Sequence, residues 1–428
     1  MKRIALAFAG LATWLAGASA CRAESEPVPI ACPASVGAGT RCLSGQDQNG
    51  AWYVIAMPAE WNRRLIVHAH GGPRTGAPKA EEPLEDVERF SVMVRQGYAW
   101  IGSTYRRGGY GVRMAAEDVE NSRQLFWARY GQPERTILHG QSWGGNVAAK
   151  LSELHALDVE GQRNYDGVLI TNGVVSGGTK AYQFRAGLRA VYQFYCANHP
   201  EPDEVAYPVW QGLPKGSALT RADLSARVDA CTGVGRPASE RSPDQSRRLR
   251  DIVAVTGVQE AQLVSHLSWA TFLFRDLVQE RLDGLNPFDN TAMVYSGSHD
   301  DAALNGGVER FHANPDAVAK LAYDSDLSGL IVLPTLTVHA LYDPTVSYEA
   351  EAIYNDTVAA AGRSHLLVQV ATDEDQHSKL SDAGYLTALA ALEHWIGSGV
   401  RPDAQGFQTS CRARQPNSDE CHFVSPYP

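Results

Sequence analysis

Apolar residues in this chain recur as short runs, each closed by glycine or by a polar cluster. Residues 51–57 (Ala-Trp-Tyr-Val-Ile-Ala-Met) and 64–69 (Arg-Leu-Ile-Val-His-Ala) read as strands. The second ends at His70-Gly71-Gly72-Pro73. The spacing of Val87, Phe90 and Val94 predicts a helix over 82–96, and 97–103 predicts another strand. Helical spacing returns over 117–130, a strand over 136–139, a helix over 146–157 and a strand over 167–170. Further strands are predicted over 329–338 and 366–370, and a closing helix over 385–396. Strands that alternate with helices imply an α/β class protein with a mostly parallel central sheet flanked by helices.

The alternation stops between 178 and 328. Helical pieces are predicted there over 182–196, 220–230, 243–252 and 258–282, between loops rich in Pro, Gly, Asp and Asn. A stretch this long is too large for a loop. It is expected to be a mainly helical inserted cap or lid with a small core of its own. The core fold would then be split into 24–177 and 329–428.

The N-terminus has a different pattern. Met1-Lys2-Arg3 is followed by an apolar run from Ile4 to about Leu15 and then Ala18-Ser19-Ala20. This is the layout of a signal peptide, assigned to 1–23, and it implies export to a periplasmic or extracellular location. Cleavage after Ala20 would leave Cys21 first; cleavage after Ala23 would remove it. A lipid anchor on Cys21 is disfavoured, because Ala18 stands where a Leu-like residue is usual. No later run reaches about 18 apolar residues, so no transmembrane segment is expected.

Seven cysteines leave six without Cys21. An oxidising compartment favours their pairing. Six cysteines allow about 15 pairings. Short loops favour Cys32 with Cys42, Cys196 with Cys231 and Cys411 with Cys421. The 44% hydrophobic and 20% charged content excludes a disordered chain. A net charge of −10 gives no diffuse positive field for nucleic acid or an anionic membrane. Oligomeric state is not readable from the sequence.

Candidate chemistry centres on Gly140-Gln141-Ser142-Trp143-Gly144, a G-x-S-x-G string between a predicted strand and a predicted helix. Small residues there allow a tight turn that lifts the Ser142 hydroxyl clear of the sheet. A serine nucleophile needs a base and a group to orient that base. Asp343 follows the strand over 329–338, and His377 follows the next strand, giving the order Ser, acid, His. Asp324 and Asp326 precede the strand, His339 precedes Asp343, and His394 sits inside a helix. Two N–H groups should form an oxyanion hole: Trp143 and Gly72, with Gly71 second, since Pro73 has no N–H. His68 and His70 form H-x-H without further ligands, so no metal and no cofactor are expected. Asp300, Asp301 and Asn305 lack the EF-hand pattern. Arg106 and Arg107 read as a solvated turn.

Over about 50–177 and 329–398, the chain resembles the α/β-hydrolase superfamily, on His70-Gly71-Gly72-Pro73, Gly140 to Gly144, Asp343 and His377. HGGP with G-x-S-W-G-G is also similar to the prolyl-oligopeptidase and proline-iminopeptidase branches. The chain departs from these in having no propeller-like repeat and in Arg74, where the iminopeptidase pattern has glycine. It is similar, too, to exported carboxylesterases and to polyester- or feruloyl-type esterases. The resemblance implies an α/β-hydrolase fold and an exported serine hydrolase of small or oligomeric carboxylic esters. A short-peptide peptidase is the alternative, with Glu201, Asp203 and Glu204 as candidates to hold an α-amine. A non-catalytic binding protein on the same fold is disfavoured by the three catalytic residue types. Among the aromatic residues Tyr182, Phe184, Tyr192, Phe194 and Tyr195, core packing competes with pocket lining; Tyr105, Tyr192 and Tyr195 are the candidate substrate contacts.

Overall fold

Alternate residues of the central strands point to opposite sides of one sheet and enter two separate apolar layers. Leu65, Val67, Leu138, Val168 and Ile170 belong to one layer, and Ile66, Ile137 and Leu169 to the other. This period of two is why these segments are strands buried on both faces. The computed structural model describes residues 26–416 and 419–425. The expected signal segment and Cys21 lie outside them.

Ten strands form the sheet: β1 (Val28–Ile30), β2 (Arg41–Gln46), β3 (Trp52–Met57), β4 (Arg64–Ala69), β5 (Ala99–Ser103), β6 (Arg135–Gln141), β7 (Gly167–Thr171), β8 (Thr335–Ala340), β9 (Leu367–Thr372) and β10 (Phe423–Val424). Their order is β1-β2-β3-β5-β4-β6-β7-β8-β9-β10. From β5 to β9 neighbouring strands are parallel, while β1 to β3 and β10 pair antiparallel at the edges. A parallel core with an antiparallel start and a reversed β5-β4 step is the α/β-hydrolase fold.

Most predicted elements are present with shifted ends. The helix expected over 82–96 is two, Glu82–Arg89 and Ser91–Arg95, broken at the buried Phe90. The strand expected from 329 begins only at Thr335. Gly329 adopts φ +73°, and Pro334 has no N–H for the ladder. Strands β1, β2 and β10 and the helices Glu349–Ala360 and Phe407–Arg414 were not predicted.

Residues 178–328 lie between β7 and β8 and are mainly helical. Their longer helices are Gln183–Cys196, Arg221–Thr232, Pro243–Thr256 and Pro315–Ser325. Two begin with capping boxes, Thr220 with Asp223 and Ser242 with Gln245, and both end at a left-handed glycine, Gly233 and Gly257. The helix expected over 258–282 starts at Leu263 and passes into two π-helical stretches, Trp269–Leu273 and Asp276–Arg281. The expectation of a separate small core does not hold. Tyr182, Leu188, Leu249 and Phe274 continue the same apolar layer as Val67, Leu138 and Trp143. Tyr110 N donates to Asp276 Oδ2 at 2.6 Å, which clasps the inserted segment to the loop after β5.

Three disulfides join Cys32 to Cys42, Cys196 to Cys231, and Cys411 to Cys421. Among the described residues, no helix is long and apolar enough to cross a membrane. The Cys196–Cys231 link ties two helices of the inserted segment across a separation of 35 residues. Replacing both cysteines with serine should lower unfolding free energy by about 2–4 kcal/mol. Urea unfolding of the oxidised proteins measures this.

Candidate active site

Strand β6 runs into Ser142, whose backbone takes φ 58° and ψ −127°, and the helix Trp143–His155 leaves from it. A positive φ at a non-glycine residue is strained and needs a surrounding that fixes it. That surrounding is tight. A methyl group on Gly140 would strike the Gly144 carbonyl, and one on Gly144 would strike the Ala69 carbonyl. The Ser142 carbonyl accepts from the amides of Gly145 and Val174, each at 2.9 Å. The turn therefore holds the hydroxyl above the ends of β4 and β6.

Ser142 Oγ lies 2.7 Å from His377 Nε2. His377 Nδ1 lies 2.7 Å from Asp343 Oδ2 and 3.0 Å from Oδ1. Asp343 Oδ1 also accepts from the amides of Thr345 at 2.7 Å and Val346 at 3.0 Å. An acceptor facing Nδ1 keeps the proton there and leaves Nε2 free to accept from Ser142. The three predicted residues are thus brought together from sequence separations of 235 and 34.

Asn172 holds the His377 loop and was missed in the sequence. It is buried, at φ +46°, just past β7. Its side-chain amide donates to the carbonyls of Gln376 and His377, each at 2.9 Å, and its oxygen accepts from Ala340 N at 2.8 Å. Gln141 Nε2 donates to the same His377 carbonyl at 2.9 Å. The only sequence signal for Asn172 was an Asn-Gly pair at a strand end, which marks a left-handed turn and no role.

The HGGP loop is braced from the opposite side. His70 Nδ1 donates to Asp86, while Arg74 Nε donates to His70 Nε2 at 2.9 Å. Arg74 also pairs with Glu85. Tyr105, at φ +65°, donates its hydroxyl to the His70 carbonyl at 2.7 Å and sets its ring edge against Trp143. Gly71 packs against Gln141 and Ser142, and Gly72 takes φ +64° with open space at its Cα. The amides of Gly72 and Trp143 make no hydrogen bond to the protein among the described residues.

The expected substrate contacts need correction. Tyr105 is buried and supports the loop. Tyr192 is fully buried and donates to Asn198 Oδ1 at 2.8 Å, and Tyr195 packs on Phe194. Neither lines the cavity beside Asp343. That cavity has a volume of about 460 Å³ and is walled by Val174, Phe184, Arg185, His266, Asp343 and Tyr348, among others. His266 Nε2 donates to the Pro344 carbonyl at 3.0 Å, and burial pushes its pKa down to about 3, so it is neutral.

The remaining sequence candidates are occupied elsewhere. Asp324 accepts from the amides of Val112 and Arg113, and Asp326 from Thr179. Arg106 pairs with Asp118 and Glu117. Asp300 caps the helix Asp301–Gly307. Glu201 and Glu204 pair with Arg227. His68 and His139 face each other through Nδ1 at 2.9 Å inside the core, and burial lowers the pKa of both.

No protein-family model and no curated protein matches the sequence. The chain is similar in structure to Candida antarctica lipase A, at 12% identity and TM-score 0.48, covering 90% of this chain and 84% of that one. It is similar to feruloyl esterase B from Aspergillus oryzae at 12% identity and TM-score 0.46, covering 85% and 82%. An esterase from Aspergillus oryzae matches at 13% identity and TM-score 0.46, covering 89% and 87%.

A second buried pair stands behind Asp343. His339 Nδ1 meets Glu351 Oε1 at 3.0 Å, and its Nε2 meets the Val346 carbonyl at 3.1 Å and Asp343 Oδ2 at 3.6 Å. Both ring nitrogens face acceptors, which favours the protonated ring. Burial alone would lower this pKa; the Glu351 hydrogen bond and the Glu351 and Asp343 charges outweigh it, and the pKa is raised. A raised folded-state pKa stabilises fully below the unfolded value of about 6.5 and less as pH climbs through the folded value. Glu351→Gln should therefore cost the most stability at about pH 6, with the deficit shrinking by about pH 9. Urea midpoints of both proteins at the two pH values test this; a deficit independent of pH would contradict it.

Proposed function

We propose that this chain is an exported serine hydrolase of carboxylic esters. Ser142 Oγ attacks the ester carbonyl as His377 Nε2 takes its proton. Asp343 holds the imidazole tautomer and stabilises the imidazolium that forms. The amides of Trp143 and Gly72 bind the oxyanion. The imidazolium returns the proton to the leaving alcohol, which departs and leaves an acyl-enzyme. Water, deprotonated by His377, then attacks the acyl carbonyl and releases the acid and Ser142.

The observation that carries this reading is the unbroken hydrogen-bond chain, 2.7 Å from Ser142 to His377 and 2.7 Å from His377 to Asp343. The free amides of Trp143 and Gly72 support the oxyanion assignment. Residues 178–328 act as the cap; their clasp to the loop after β5 and their share of the cavity wall support that role. Three disulfides fit an oxidising compartment. The peptidase alternative gains nothing from Glu201 and Glu204, which Arg227 holds, or from Asp203; none of them lines the cavity.

Ser142→Ala should reduce kcat on a reactive aryl ester by about 10⁴-fold or more. A fluorophosphonate should label wild type once, on the peptide containing Ser142, in intact-mass and peptide spectra. Wild-type turnover by the alanine variant, or labelling elsewhere, would overturn the assignment.

A further inference from the structure

The cavity beside Asp343 contains a buried cation that no carboxylate pairs directly. Arg185 lines this cavity and is only 5% exposed. Among the described residues it makes no ion pair. One terminal nitrogen reaches the Ala181 carbonyl at 3.4 Å and the other the Thr345 carbonyl at 3.2 Å, while Nε is buried with no partner. The rings of Phe184 and Trp269 flank the guanidinium at 4.5 and 4.8 Å. They hold its plane and leave donors unspent.

Other poorly exposed arginines are matched differently. Arg106 has Asp118, Arg123 has Glu120 and Arg241 has Glu260. Arg189, one turn further along the same helix, is also short of partners, but it reaches Tyr207 and lines no part of this cavity. Burial pushes the Arg185 pKa down to about 10, which leaves it charged. A buried guanidinium without a counter-charge is costly, and a carboxylate matches its fork of donors better than any neutral group.

The rest of the wall offers this guanidinium no direct partner, and Asp343 acts on it only through space. Asp343 is spent on two backbone amides and His377, His266 is neutral, and Lys180 and Glu349 stand exposed at the rim. Arg185 also holds the carbonyl of Thr345, whose amide holds Asp343. The cation therefore sits directly beside the proposed catalytic acid, in a cavity whose 460 Å³ suits a small molecule.

We propose that this cavity is a carboxylate subsite. Arg185 binds a free, unesterified carboxylate on the substrate, so the preferred esters carry a second acidic group. This rests on the hydrolase reading. The charge belongs to the acyl part, as in a half ester of a dicarboxylic acid, or to the alcohol part; the chemistry recognised is the same.

Two matched pairs test it: 4-nitrophenyl hydrogen glutarate against 4-nitrophenyl pentanoate, and 4-carboxyphenyl acetate against 4-methylphenyl acetate. Wild type should prefer the charged member of one pair by about tenfold or more in kcat/KM, chiefly through KM. The pair that discriminates identifies which side of the ester enters the subsite. Arg185→Gln should abolish the preference, and Arg185→Lys should keep part of it. Parity in both wild-type pairs overturns the proposal whether or not the variants fold, and so does an equal loss on both members in Arg185→Gln. If wild type hydrolyses neither member of either pair, the hydrolase reading fails separately. Calorimetry with glutarate then decides: binding that Arg185→Gln removes upholds the subsite, and no binding to wild type overturns it.

Discussion

The site depends on the register of one parallel ladder. Ala69 pairs with Gly140, Gln141 with Thr171, Thr171 with Val338, and Ala340 with Thr372. The last residues of β4, β6, β7, β8 and β9 thus end along one edge, and the loops that follow them converge. The HGGP loop, Ser142, Asn172, Asp343 and His377 each follow one of those ends. A slip of one residue in β6 would turn its inward side chains to the opposite face and carry Ser142 away from the other loops. The glycines at 140 and 144 protect this arrangement, because a Cβ at 144 would strike the Ala69 carbonyl at the end of β4 and one at 140 would strike the Gly144 carbonyl of the helix that follows the elbow.

Convergence alone gives proximity; angles come from buried polar groups between the loops. Asn172 links the end of β8 to the His377 loop, and Asp86 fixes the HGGP loop through His70. The His339–Glu351 pair backs Asp343, and Glu351 also accepts from Thr337 Oγ1 at 2.6 Å. Buried polar networks stabilise only when their members are matched. Here each is matched by a residue on a different loop or element, so the arrangement that satisfies the hydrogen bonds is also the one that aligns Ser142, His377 and Asp343.

This division explains what was legible in the sequence. Ser142, Asp343 and His377 could be placed because their neighbours in the chain carry the signal: a glycine-framed turn after a strand, and polar loops after later strands. Asn172, Asp86, His339 and Glu351 act through partners that only the sheet order and helix packing supply. Tyr105 and Tyr192 were misread for a related reason. An aromatic residue near a site reads the same whether its hydroxyl faces substrate or, as here, a carbonyl and an amide of the protein itself. Strand β2 was missed because Arg41-Cys-Leu-Ser-Gly-Gln has too few apolar residues to stand out. The inserted segment was legible as helices but not as part of the main core, since the continuity of an apolar layer is a property of packing.

The net charge of −10 says little about such a site, because its charges are arranged locally. On one side of Asp343, the buried His339 ring is matched by a buried glutamate. On the other, a guanidinium meets only carbonyls and aromatic faces. Both lie in surroundings of low polarisability, where each charge acts strongly on its neighbours. The first pair is complete in the folded protein and so serves to fix Asp343. The second is incomplete, and an incomplete buried charge costs stability that a leucine or methionine at the same place would not. Arg189, also buried and short of partners, lines no part of the cavity; Arg185 does, and a charge at a cavity wall is placed where a ligand can supply the missing anion.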